Sequence, residues 1–199
     1  MSKFYTNLVL LGDDILYRGY EHGQRVQYRE RSSPVLFFVP KAQTKPTKFK
    51  TLDGRRAYKK QFSGAREARE VLKQYEDTDG LEVHGYERFV YQHINQQFPA
   101  DIDYDMSMMK IYTIDIEVAC ENGFPDVQAS AEEMLCLTIK DFNTKKIITW
   151  GTREFTPPEG VEYRVFWTEQ EMLSDFHKWW SDNTPDIITG WNNNLYDIP

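Results

Sequence analysis

The sequence predicts a two-part fold, a β-rich α+β unit over residues 1–107 followed by a mixed α/β unit over residues 108–199. Three observations predict it. Short apolar runs separated by turn residues fill most of the first hundred positions. Helical spacing is confined to two stretches, near residues 63–76 and 168–180. The charge also changes sign along the chain. Residues 1–110 hold 18 Lys/Arg and 15 Asp/Glu, a net of +3, whereas residues 111–199 hold 6 and 16, a net of −10. A split of that kind suggests two units with different jobs.

In the first unit, strands are expected from Phe4 to Leu11, Ile15 to Tyr20, Arg25 to Glu30 and Val35 to Val39, with turns at Asp13-Asp14, His22-Gly23 and Ser32-Ser33-Pro34. Asp53-Gly54 signals a two-residue hairpin between Phe49-Lys50-Thr51 and Arg56-Ala57-Tyr58. Ser63 reads as the N-cap of a helix through Glu76. Phe89 to Ile94 reads as a further strand, and Asp101 to Asp105 as a linker. In the second unit, Lys110 to Val118 is an apolar, β-branched strand. A hairpin follows from Met134 to Lys140 and Lys145 to Trp150, and then a short strand from Tyr163 to Phe166. Thr168-Glu169-Gln170-Glu171 is a capping box that opens a helix to Trp180, where Trp179-Trp180 reads as helix packing. Asp186 to Thr189 is the last strand, and Gly190 opens a loop.

The composition is that of a chain with a core, since 40% of residues are hydrophobic and 15% aromatic. A mean hydropathy of −0.65 and the lack of a long apolar run argue against a membrane span, and the first residues do not read as a signal peptide. Cys120 and Cys136 read as reduced core thiols of a cytosolic protein. His22, His84, His93 and His177 form no spaced ligand set. Residues 25–73 carry 14 basic and 4 acidic side chains, a net of +10. That run is either a face for a polyanion or a solvated sheet face.

Ile114-Asp115-Ile116-Glu117-Val118 places two acids on one face of an apolar strand, because side chains alternate with period two. From spacing alone, the pair either faces water on an edge strand or is compensated by a hard divalent cation such as Mg2+ or Mn2+. The end of the chain adds an acid, Asp197, beside the aromatic Tyr196 and after the amide-rich Asn192-Asn193-Asn194 loop. If the last strand lay next to Lys110 to Val118, Asp197 would arrive over the same pocket. Two metals about 4 Å apart would there activate water against a phosphodiester.

Asp115-Ile116-Glu117 resembles the first exonuclease motif of family B DNA polymerases, and Asn192-x-x-x-Tyr196-Asp197 resembles the second. The flanking words, Thr113 to Val118 and Thr189 to Pro199, are similar to those of the T-even bacteriophage members. So is the opening from Phe4-Tyr5 through Gly12-Asp13 to Pro34-Val35-Leu36-Phe37. The element order of the second unit matches the opening of a ribonuclease-H-like (DEDD) exonuclease sheet. The resemblance implies that Asp115 bridges two metals, Glu117 ligates the metal that activates water, and Asp197 ligates the second. Asn192 and Tyr196 would lie near the substrate strand. Phe124 either packs against an unpaired 3′ base or is a core aromatic beside the Pro125 turn. Tyr196 stands where the motif more usually has phenylalanine. A third motif, Tyr-x-x-x-Asp, is expected beyond Pro199, so the chain alone is expected to have little exonuclease and no polymerase activity. The implied partners are a single-stranded DNA 3′ end, template, in some relatives RNA, and the remainder of the polymerase in the same or a separate chain. A sliding clamp is expected of the family, though not through these residues. The setting would be the cytoplasm of an infected bacterium. A module that only binds single-stranded DNA or RNA is the alternative, favoured by basic residues interleaved with Phe49, Tyr58 and Phe62.

Overall fold

The computed structural model describes residues 3–42, 45–76, 78–85, 87–120, 123, 125–126, 129 and 131–191. The chain divides into two compact units, Met1–Tyr104 and Asp105–Pro199.

In the first unit, β1 (Lys3–Leu11), β2 (Asp14–Glu21) and β3 (Gln24–Arg31) form an antiparallel meander. His22 and Gly23, both at positive φ, make the two-residue turn between β2 and β3. A second sheet takes β4 (Val35–Pro40), β5 (Phe49–Lys50), β6 (Arg56–Gln61) and β7 (Leu81–His84) in the order β5-β6-β4-β7. Helix α1 (Ala65–Tyr75) covers one face of this sheet. There Leu36, Phe62, Ala65, Ala68 and Phe89 form a buried cluster joined by Phe38, Val71, Leu72 and Val83. Helix α2 spans Phe89–Gln97.

Three expectations change here, and one strand, β7, was not expected. Phe89 to Ile94 is helical, not extended. Its aromatic and β-branched residues favour strand, but Phe89 and His93, one helical turn apart, are both buried. Gln92 in the same helix receives the Val35 N–H at 2.8 Å and donates to the Val35 carbonyl at 3.1 Å, so its carboxamide stands in for a neighbouring strand. The four-residue β7, too short to show periodicity, pairs with β4 instead. The β5–β6 connection is longer than two residues, because Thr51 N–H bonds the Arg55 carbonyl at 2.9 Å around Leu52-Asp53-Gly54, with Gly54 at φ 87. Finally, the N-cap of α1 is Gly64. Ser63 instead donates its hydroxyl to Glu67 at 2.8 Å, and Asp13 accepts the Arg66 N–H at 2.7 Å.

Among the described residues, the second unit is one five-stranded sheet and one long helix. Strands β8 (Ile111–Val118), β9 (Met134–Asp141), β10 (Ile147–Gly151), β11 (Val161–Val165) and β12 (Ile187–Thr189) lie in the order β11-β10-β9-β8-β12. The β8-β9-β10 meander is antiparallel, while β11 and β12 join its two sides in parallel. Helix α3 (Glu169–Asn183) starts at Thr168, whose hydroxyl accepts the Glu171 N–H at 3.2 Å. Its Met172, Phe176, Trp179 and Trp180 pack on Tyr112, Ile114, Leu137, Ile139, Ile148 and Trp150. The Trp150 indole N–H donates to Asp175 at 2.8 Å, satisfying a polar group that burial would otherwise strand.

Candidate metal centre

The pleat of β8 sorts its residues by chemistry. Tyr112, Ile114 and Ile116 enter the core under α3, which leaves Thr113, Asp115 and Glu117 on the opposite face. Both acids are exposed. Among the described residues neither one forms an ion pair or hydrogen bond, although ion pairs occupy many other carboxylates of the chain.

Register gives the acids their neighbours. Across β9, Asp115 stands opposite Thr138, Glu117 opposite Cys136 and Thr113 opposite Lys140. Thr138 in turn opposes Thr149 of β10, and their hydroxyls are 2.9 Å apart. The ladder slips just past Glu117, where Val118 pairs with Met134 and leaves Leu135 as the extra residue of a bulge. Such bulges re-aim adjacent side chains. The Cys136 thiol is pushed above its usual range by burial first, then by Glu117 and Asp115. It therefore feels both carboxylates. Sequence reasoning misses Cys136 and Thr138, although the alternation Cys136-x-Thr138-x-Lys140 carries the signal that they share a face.

Strand β12 lies parallel to β8 with Thr189 opposite Thr113, so the chain leaves β12 towards the end of the sheet where β8 proceeds to Asp115 and Glu117. The structure thus brings Asp115 and Glu117 together. Asp197, Asn192, Tyr196 and Phe124 lie outside the described residues. The donor set suits a hard cation, since two carboxylates on one strand face offer oxygen ligands and neither is ion-paired among the described residues. Among the described residues no group of three His, Cys, Asp or Glu side chains is arranged to hold a metal.

Residues 87–199, more than half of the chain, match the family described as DNA polymerase family B, exonuclease domain. The chain belongs to that family. This family B chain is also 25% identical over 225 aligned positions to a DNA-directed DNA polymerase of Escherichia phage RB69, and 25% identical over 226 to one of Enterobacteria phage T4. Both alignments cover all of this chain and 25% of the relative, so the family B chain spans about a quarter of the length of these curated relatives. Among the described residues no helix is long and apolar enough to cross a membrane.

Proposed function

We propose that the second unit is the proofreading part of a phage DNA-directed DNA polymerase, a 3′→5′ exonuclease that hydrolyses the terminal phosphodiester of a frayed primer strand. The observation that carries this reading is the Asp115–Glu117 couple, unpaired among the described residues, on the sheet face opposite α3 in a unit whose match is to family B exonuclease domains. A ribonuclease-H-like (DEDD) fold is supported by the central antiparallel meander with β12 added in parallel beside β8. Asp115 and Glu117, with Asp197 from the chain beyond β12, would hold two Mg2+ or Mn2+ ions. When bound, such ions supply an activated water and charge stabilisation for the leaving oxygen. The chain's own contribution is positional: β8 presents both carboxylates on one face, and α3 packs against the other side of that strand. Asn192, Tyr196 and Phe124 would meet the single-stranded 3′ end. The first unit would contact single-stranded nucleic acid, favoured by its net +10 over residues 25–73. The remainder of a polymerase would complete the machine in the cytoplasm of an infected host.

The test is metal binding read separately from turnover. Titrated Mn2+ should broaden the amide resonances of β8 and β9 around Asp115, Glu117 and Thr138, and Mg2+ should compete. The Asp115→Asn, Glu117→Gln double variant should lose the effect while keeping its melting temperature. Unchanged broadening in that variant, or none in the parent, overturns the reading.

A further inference from the structure

Residues that stand opposite one another in a ladder share a face, so the face of Asp115 and Glu117 also takes Cys136, Thr138 and Lys140 from β9. Strands β8 to β12 hold two basic residues, Lys140 and Arg164. Arg164 stands opposite Trp150, which belongs to the core under α3. Lys140 is therefore the one cation that these strands supply to the face of the two acids. The second unit is otherwise hostile to anions, with 6 basic and 16 acidic residues over 111–199. A phosphate that comes to rest over Asp115 meets like charge on every side but one.

Lys140 is exposed and unengaged. Its cross-strand neighbours are Thr113 and Ile147, and among the described residues it forms no ion pair or hydrogen bond. The other two lysines of the β9–β10 hairpin are in use. Lys146 pairs with Glu162 at 2.7 Å, and the Lys145 ammonium lies 4.3 Å from the centre of the Phe142 ring. Asp115 faces Thr138, so Lys140, two residues further along β9, is its diagonal neighbour. Such neighbours are about 7–8 Å apart, a span that a long side chain can reach across. Lys140 nevertheless makes no ion pair with Asp115. An ammonium so placed can meet an anion held over Asp115 and still leave the carboxylate to a metal ion. Fixed cations beside a phosphate act in this way wherever charge develops on its oxygens.

We propose that Lys140 is a phosphate-binding residue of the metal centre, its ammonium donating to a non-bridging oxygen of the nucleotide 5′-phosphate that sits over Asp115. Three rotatable donors on a flexible stem suit a phosphate whose position changes between substrate and product. The inference rests on the exonuclease reading of that centre and adds to it a residue outside both motifs.

Thymidine 5′-monophosphate, thymidine and Mn2+ are the probes, each followed through the amide resonances of β8 and β9 in the full chain. In saturating Mg2+ the parent should bind the monophosphate more tightly than thymidine. Lys140→Gln should weaken the monophosphate about tenfold, as expected for one lost hydrogen bond between charged groups, and leave thymidine unchanged. Lys140→Arg should keep most of the monophosphate affinity. Mn2+ should bind Lys140→Gln at least as tightly as the parent, because the substitution removes a like charge near the ion. A purely structural lysine would instead weaken Mn2+ and lower the melting temperature when replaced. Equal monophosphate affinity in parent and Lys140→Gln, or a loss shared by thymidine and Mn2+, overturns the proposal. Absence of Mn2+ broadening in the parent overturns the exonuclease reading and this inference with it. Normal Mn2+ broadening beside a monophosphate affinity indifferent to Lys140 overturns this inference alone.

Discussion

Gly64 is held to hydrogen by a neighbour distant in sequence. A Cβ built there would meet the Asp13 carboxyl at 2.6 Å, because Asp13 reaches from the β1–β2 turn to cap α1 through the Arg66 N–H. Arg31 completes the junction, bonding Asp13 at 3.0 Å and the Ser63 carbonyl at 2.9 Å. Gly64→Ala should therefore destabilise the first unit by about 1–3 kcal/mol in urea unfolding, the range for forced overpacking. Asp13→Asn should lower the melting temperature at neutral pH, because the N–H of Arg66 holds the Asp13 carboxyl below its ordinary 3.8, with burial opposing and Arg31 adding to the effect. A depressed carboxyl contributes stability above its unfolded value, and that contribution disappears as pH falls past the folded one. Parent and variant should converge as pH falls through the folded value of Asp13, and melting curves recorded from neutral pH into acid would show it. Ser63 looks like the cap in the sequence because only local spacing is visible there. The true acceptor is 53 positions away from Arg66.

Among the elements, α3 decides how firmly the metal strand is held. Trp150 is fully buried, touches Phe176 and Trp179, and anchors to Asp175, which also receives Arg164 at 3.0 Å. The indole N–H, ahead of Arg164, holds the Asp175 carboxyl below its usual range, against the opposing cost of burial. Asp175→Ala should cost about 1 kcal/mol at pH 7, a figure reduced because the side chain is 38% exposed. The charge-dependent part of the deficit, including the Arg164 contact, should shrink in acid for the same reason as at Asp13. The part due to the stranded Trp150 N–H should persist, because a protonated carboxyl still accepts that bond. Loss of the whole deficit at pH 2 would mean that the indole contact contributes nothing. Helix α2 teaches the opposite lesson about elements. Phe89-Val90-Tyr91 favours extended backbone locally, yet burial of Phe89 and His93 on one helical face outweighs that preference.

For the whole molecule, the division into Met1–Tyr104 and Asp105–Pro199 coincides with separate cores and opposite charge. Leu36→Ala and Ile139→Ala, one in each core, should each cost about 2–5 kcal/mol, and the double variant should show their sum to within about 0.5 kcal/mol. Strong non-additivity in calorimetry would mean that the two units unfold as one. Much of this architecture was legible because alternation and turn chemistry are local: the β1-β2-β3 meander, the β9–β10 hairpin and the Thr168 cap follow from neighbours a few positions apart. By itself the sequence determined that Asp115 and Glu117 share a strand face, since period two admits no other arrangement. Only the tertiary structure decided that β12 lies parallel beside β8, that Thr138 and Cys136 sit opposite the acids, and that no cation pairs with either acid among the described residues. Those are facts of pairing between segments far apart in the chain. Their register is set by the burial of Tyr112, Ile114, Leu137, Ile139 and Trp150 under α3, which no local pattern encodes.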